Sequence, residues 1–200
     1  MYREVMVSYE NEYKLAKFLL EKYGEIINER EQRTIGEIKE LASGNDLSIQ
    51  ALVEEFKEKP YSFEENYENA LKKVFEHIKK EITFVDSDIS LNYWMSGKEI
   101  LEIKIADDED LAVFLCACMK ALGDDKAEVI IAELDNLRTH SFVITEINGE
   151  FLLLDPTQEN EFEKYKGSKI EVIKNYEYQK QKIKRFLYRF NSSKYEQFLE

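Results

Sequence analysis

Two hundred residues, 44% of them hydrophobic, suffice for one globular domain with its own core. The 41 acidic against 28 basic side chains give a net charge of −13, which repels phosphate backbones and anionic headgroups and argues against nucleic-acid or membrane-surface function. No apolar run reaches the roughly eighteen residues a membrane span needs, and the opening Met1-Tyr2-Arg3-Glu4-Val5 lacks the basic-then-apolar layout of a secretory signal, so a cytoplasmic protein is expected.

From Tyr9 to Arg30 the residues Leu15, Phe18, Leu19, Lys22 and Ile26 recur at helical spacing, an apolar stripe broken once by a lysine whose stem can lie along it. A short helix is expected over Ile35–Leu41, ended by Ser43-Gly44-Asn45 with glycine in the left-handed conformation. Another is expected over Ser48–Glu58, stopping before Pro60. Ser62-Phe63-Glu64-Glu65 has the form of a capping box, and Leu71, Val74, Phe75, Ile78 and Ile82 mark the long helix behind it. From Ile82 to Met95 the aromatic and turn residues predict irregular chain. Ser96-Gly97-Lys98-Glu99 is a second capping box. After Ala106, the acids Asp107-Asp108-Glu109-Asp110 precede an apolar helix over Leu111–Leu122, where unpaired amides and the helix dipole favour negative charge; Gly123 closes it.

The period then becomes strand-like. Val129–Leu134, Ser141–Ile147 and Phe151–Leu154 are short apolar runs, and Asn148-Gly149 signals a tight hairpin. Lys169–Ile173 and Ile183–Phe190 are candidate further strands. Helices first, then one helix feeding an antiparallel sheet, make an α+β chain, divided as an N-terminal helical region over 1–60, either separate or part of the same domain, and a domain over 61–200. Cys116 and Cys118, two apart on a helix, point roughly 200° away from each other, so a bridge between them is not expected.

Thiol enzymes place a cysteine at a helix N-terminus, bring a histidine from elsewhere to carry the proton, and orient it with a carboxylate. Three segments fit that scheme: Ala106-Asp107-Asp108-Glu109-Asp110-Leu111-Ala112 at a helix start, Thr139-His140-Ser141-Phe142-Val143 at a strand start, and Leu154-Asp155-Pro156-Thr157 after the hairpin. In that order they resemble transglutaminase-like domains of the papain-like cysteine-peptidase fold, whose pattern runs G-D-C-E-D-x-A-x-L-L, a helix ending in glycine, H-A/S-aromatic-V, then hydrophobic-D-P-T. Tyr93-Trp94-Met95 and the short helix after it resemble the segment that introduces the cysteine loop. The resemblance covers about residues 84–157. It puts His140 at the histidine position, Asp155 at the orienting acid and Asp108 where the cysteine should be, with Trp94, Asp107 and Glu109 as cleft candidates.

Each residue also has an ordinary reading. Asp108 can serve as a helix cap, His140 as a buried strand histidine, and Asp155-Pro156 as a turn. The departure at 108 is decisive for chemistry, since a carboxylate is a poor acyl nucleophile and its acyl adduct is a reactive anhydride. Cys116 and Cys118 lie about 12–15 Å further along the helix, too far to substitute. If Asp108 and Asp155 both flank His140, they should favour imidazolium. Such a cluster can be structural, can hold a cationic or polar group in the cleft, or can bind a divalent metal with Glu109. The last is disfavoured by ligand spacing, and no cofactor is expected. The expectation is a catalytically inactive transglutaminase-like domain, a peptide- or protein-binding scaffold. The alternatives are a hydrolase using an Asp–His–Asp site, metal-assisted or not, and an acidic helical interaction protein with a small sheet.

Overall fold

The computed structural model describes residues 2–28, 33–86 and 93–199. Helix α1 spans Tyr2–Asn28, starting well before Tyr9 because neither glycine nor proline interrupts its first turns. Leu15, Leu19 and Tyr23 are its buried stripe. Tyr23, not Lys22, takes the inward position; the Lys22 ammonium pairs with Glu99 at 3.0 Å. The expected end at Arg30 and the side chain of Ile26 lie outside the described residues.

Helix α2 (Ile35–Leu41) carries a reciprocal capping box between Thr34 and Glu37. Its cap residue, Ala42, keeps φ at −83°, so the expected left-handed glycine stop does not occur. Gly44 serves close approach instead: a Cβ there would stand 2.5 Å from the backbone nitrogen of Ala121. Helix α3 (Leu47–Glu54), capped by Asp46, ends short of Glu58, because the amides of Glu55 and Phe56 bond three residues back, to Leu52 and Val53, and tighten the last turn. Helix α4 (Phe63–Glu81) is capped by the Ser62 hydroxyl. Asn66, not Glu65, closes the reciprocal arm, accepting from the Ser62 amide at 3.0 Å.

Strand β1 (Thr83–Phe84) pairs in parallel with β2 (Ile105–Ala106), which corrects the expectation of irregular chain at residues 83–84; residues 85–86 and 93–95 carry neither helix nor strand, and 87–92 lie outside the described residues. Between these strands runs α5 (Gly97–Ile103), with the Ser96–Glu99 capping box in place. Helix α6 (Asp108–Ala121) begins three residues before Leu111 because Asp107 caps it. Every residue from Asp110 to Met119 is buried, as befits a helix covered on all sides.

The main sheet follows: β3 (Glu128–Leu134), β4 (Thr139–Ile147), β5 (Glu150–Leu154) and β6 (Lys166–Gly167). Asn148 and Gly149 turn the β4–β5 hairpin with φ of 54° and 81°. Lys169–Asn175 is a helix, α7, rather than a strand. Ser168 caps it, Val172 is its buried residue, and Tyr176, the C-cap four positions on, is buried beside it. Strands β7 (Glu177–Tyr178), β8 (Gln181–Phe190) and β9 (Tyr195–Gln197) complete the sheet in the order β6-β5-β4-β3-β8-β7, with β9 also paired to β8. All its pairings are antiparallel.

The period-two pleat divides two cores. Val129, Ile131, Val143, Leu152 and Leu154 join α6 and the N-terminal helices, Leu15, Ile49 and Val53 included, in one cluster. Ile130, Ala132, Phe142, Ile144 and Leu153 form a second cluster with Val172, Tyr176 and Tyr178. Both faces being covered explains why these strands read as continuous apolar runs. No helix among the described residues is long and apolar enough to cross a membrane.

Candidate active-site cleft

The Asp107 carboxylate accepts from the Asp110 amide at 2.9 Å, so it is spent on starting α6, and Asp108 is left at the first helical position. From there Asp108 Oδ2 accepts the Ser141 amide at 2.8 Å and lies 3.1 Å from His140 Nδ1. His140 Nε2 lies 3.0 Å from Asp155 Oδ2. The structure thus joins the three sequence positions through one imidazole bridging two carboxylates. The ring is 2% exposed and the Asp108 side chain 24%, so Asp108 alone of the trio shows appreciable surface.

Asp155 is densely served. Its Oδ2 also accepts from Tyr176 Oη at 2.7 Å and Gln158 Nε2 at 2.6 Å. Its Oδ1 takes the amide and hydroxyl of Thr157 at 3.0 and 2.7 Å. Tyr178 stacks flat on the imidazole, ring centroids 3.7 Å apart at 11°. Gln179 donates to the Tyr178 hydroxyl at 3.2 Å and to Asp86 at 3.1 Å, and Arg138 donates to the same Asp86 at 2.7 Å.

These contacts set the protonation states. Burial works against a charged His140, but the hydrogen bonds and charges of Asp108 and Asp155 outweigh it and raise the imidazole from 6.5 to about 9. Burial likewise opposes ionisation of Asp155, yet its donors, His140 foremost, hold it below the usual carboxylate value. Burial, with the neighbouring acids, pushes Asp107 up to about 6 and Glu109 up to about 8. Burial also raises Asp110 well above its ordinary value, and its carboxyl accepts from the Met95 amide at 2.8 Å.

Trp94 and Glu109 line a groove of about 420 Å³ that reaches Thr139, next to His140. Its walls are Ile35, Ile38 and Lys39 of α2 and Ile131, Tyr188, Phe190 and Tyr195 of the sheet. Asp107 does not line it. A larger cavity, about 530 Å³, lies between the start of α4 and the β4–β5 turn and is lined by none of the trio. Among the described residues no group of three or more His, Cys, Asp or Glu side chains is arranged to hold a metal ion. Cys116 and Cys118 are free and buried, and burial pushes both thiols far above their ordinary value.

No protein-family model matches the sequence, and no curated protein matches it. Solved structures do. LapG of Legionella pneumophila matches in its EGTA-treated form with a TM-score of 0.53 at 17% identity, over 84% of this chain and 87% of LapG. Its calcium-bound form matches with a TM-score of 0.53 at 18% identity, over 82% and 88%. The fold is transglutaminase-like. At such identity the likeness is one of fold. In this transglutaminase-like fold the residues that sequence reasoning missed are Tyr176, Tyr178, Gln158 and the Asp86–Arg138 pair. Gln158, three after Asp155, had a local signal; the tyrosines were hidden because the segment before them read as a strand.

Proposed function

We propose that the chain is a transglutaminase-like domain without thiol acyl chemistry, serving as a module that binds a peptide or partner protein in the groove beside Trp94. The observation that carries this reading is the Asp108 carboxylate at the head of α6, held by the Ser141 amide and facing His140. Two further features support it. An imidazole raised to about 9 is protonated at neutral pH and has no lone pair to serve as a general base. The two cysteines are buried among apolar side chains of α6, without the exposure a reactive thiol needs.

The test is incubation of the wild-type protein with a thiol-reactive peptide probe and, separately, with a glutamine peptide plus a primary amine. No adduct and no amide product are expected. Labelling or turnover that disappears in His140→Ala would overturn the proposal. A peptidase or esterase activity lost in Asp108→Ala would favour instead a hydrolase built on the Asp–His–Asp cluster.

A further inference from the structure

Glu109 stands apart from the other acids at the head of α6. Asp107 accepts the Asp110 amide, Asp108 accepts the Ser141 amide and Asp110 accepts the Met95 amide. The half-buried Glu109 side chain has no hydrogen-bond or ion-pair partner among the described residues, although it lines the groove. Around it the groove is aromatic. Trp94 and Phe190 meet edge-on with centroids 6.1 Å apart, and Tyr188 and Tyr195 pair at 6.3 Å. Ring faces attract cations through their quadrupole, most strongly once water is displaced, and an unpaired carboxyl beside them adds a counter-charge. Lys39 also lines the groove, without bonding to Glu109, so the acid is left for a ligand.

We infer that the groove receives a cationic side chain of a bound peptide, an ammonium or guanidinium group, seated between the Glu109 carboxylate and the rings of Trp94 and Tyr188. This rests on the peptide-binding reading above and specifies its ligand. The titratable groups around Glu109 are Asp107, just before α6, Asp108 and Asp110 on its own helix, Lys39 from α2, and Tyr188 and Tyr195 from the sheet. Burial, then Asp107 and Asp108, hold the empty carboxyl up to about 8. A cation entering at pH 7 therefore expels a proton, and binding tightens as the pH rises.

Trp94 is the sole tryptophan of the chain, so its fluorescence reports this groove alone. The probes are acetylated, amidated pentapeptides of alanine with lysine, arginine or norleucine at the centre, titrated into the whole protein at pH 7 and pH 9. The lysine and arginine peptides should bind about tenfold tighter than norleucine, and the arginine peptide should gain further at pH 9. Glu109→Gln should abolish the gain at pH 9 and cut the preference to the few-fold the rings alone supply. Lys39→Gln should tighten the cationic peptides about twofold, since a like charge is removed from a groove in moderate dielectric. If norleucine binds as tightly as lysine, the charge preference is overturned while peptide binding stands. If none of the peptides perturbs Trp94, both fall.

Discussion

Asp108→Asn keeps the shape of the side chain and removes one of the two charges holding the His140 ring, which lies 3.1 Å from Asp108 and 3.0 Å from Asp155. In the wild type burial disfavours the charged ring, but the bonds to those two acids raise it from 6.5 to about 9. Each tenfold in proton affinity is about 1.4 kcal/mol, so the folded state's preference for imidazolium is worth about 3 kcal/mol. The folded value is the higher one, so this stability is fully present below pH 6.5 and is lost as the pH rises through about 9. A hydrogen bond to a charged group contributes about 1.5–3 kcal/mol. Without Asp108's charge His140 should therefore titrate about one to two pH units lower. The variant should lose about 1.2–2.5 kcal/mol less than the wild type between pH 6 and pH 9.5. Guanidinium unfolding at a series of pH values reads the slopes. Asp108 also raises Glu109, whose release shrinks the variant's slope in the same direction, so an NMR titration of the imidazole, assigned with His77→Gln, isolates the histidine. A wild-type His140 titrating at or below its ordinary value, or unmoved by Asp108→Asn, would refute the reasoning.

Glu109, pushed from 4.5 to about 8 by burial and by Asp107 and Asp108, draws stability down as the pH rises through that window. Glu109→Gln should flatten the curve there and be more stable than wild type at pH 8.5 by about 1–3 kcal/mol, read by the same denaturation series. Gly44→Ala places a Cβ against the backbone of Ala121 and should cost about 1–3 kcal/mol, seen as a lowered Tm. Cys116 and Cys118 are fully buried with thiols pushed far up. A disulfide reagent should find no reactive thiol in the native protein at pH 8 and two after denaturation; rapid native reaction would show that α6 is not enclosed.

The long amphipathic helices, the β4–β5 hairpin and the three segments that meet at His140 were legible because each carries a local signal. Leu71, Val74, Phe75 and Ile78 repeat at helical spacing and are all buried, and Asn148-Gly149 adopts the positive φ its composition favours. Tertiary context hid the rest. Lys169–Ile173 is β-branched enough to suggest a strand, but the Ser168 cap and the burial of Val172 and Tyr176 in the second cluster make it helical. Gly44 reads as a helix stop, yet its role is set by α6, distant in sequence. The tyrosine over His140 comes from β7, after the misread helix, and no spacing rule ties residue 178 to residue 140. Of the three cleft candidates, Trp94 and Glu109 line the groove beside Thr139, whereas Asp107 is absorbed by capping because its position just before α6 satisfies an amide there.

On the proposed reading, Asp108 stands at a nucleophile's place and His140 and the helix start still support a thiolate there. Asp108→Cys puts a thiol at the first turn of α6 beside His140, where the helix amides and an imidazolium both favour thiolate. Wild type and variant are treated with iodoacetamide across pH 5 to 9, and the modified residue is located by mass spectrometry. The account predicts an unlabelled wild type and a variant alkylated at position 108 well below the ordinary thiol pKa, with the reaction slowed in the Asp108→Cys, His140→Ala double variant. A thiol at 108 that reacts no faster than free cysteine, or is indifferent to His140, would contradict it.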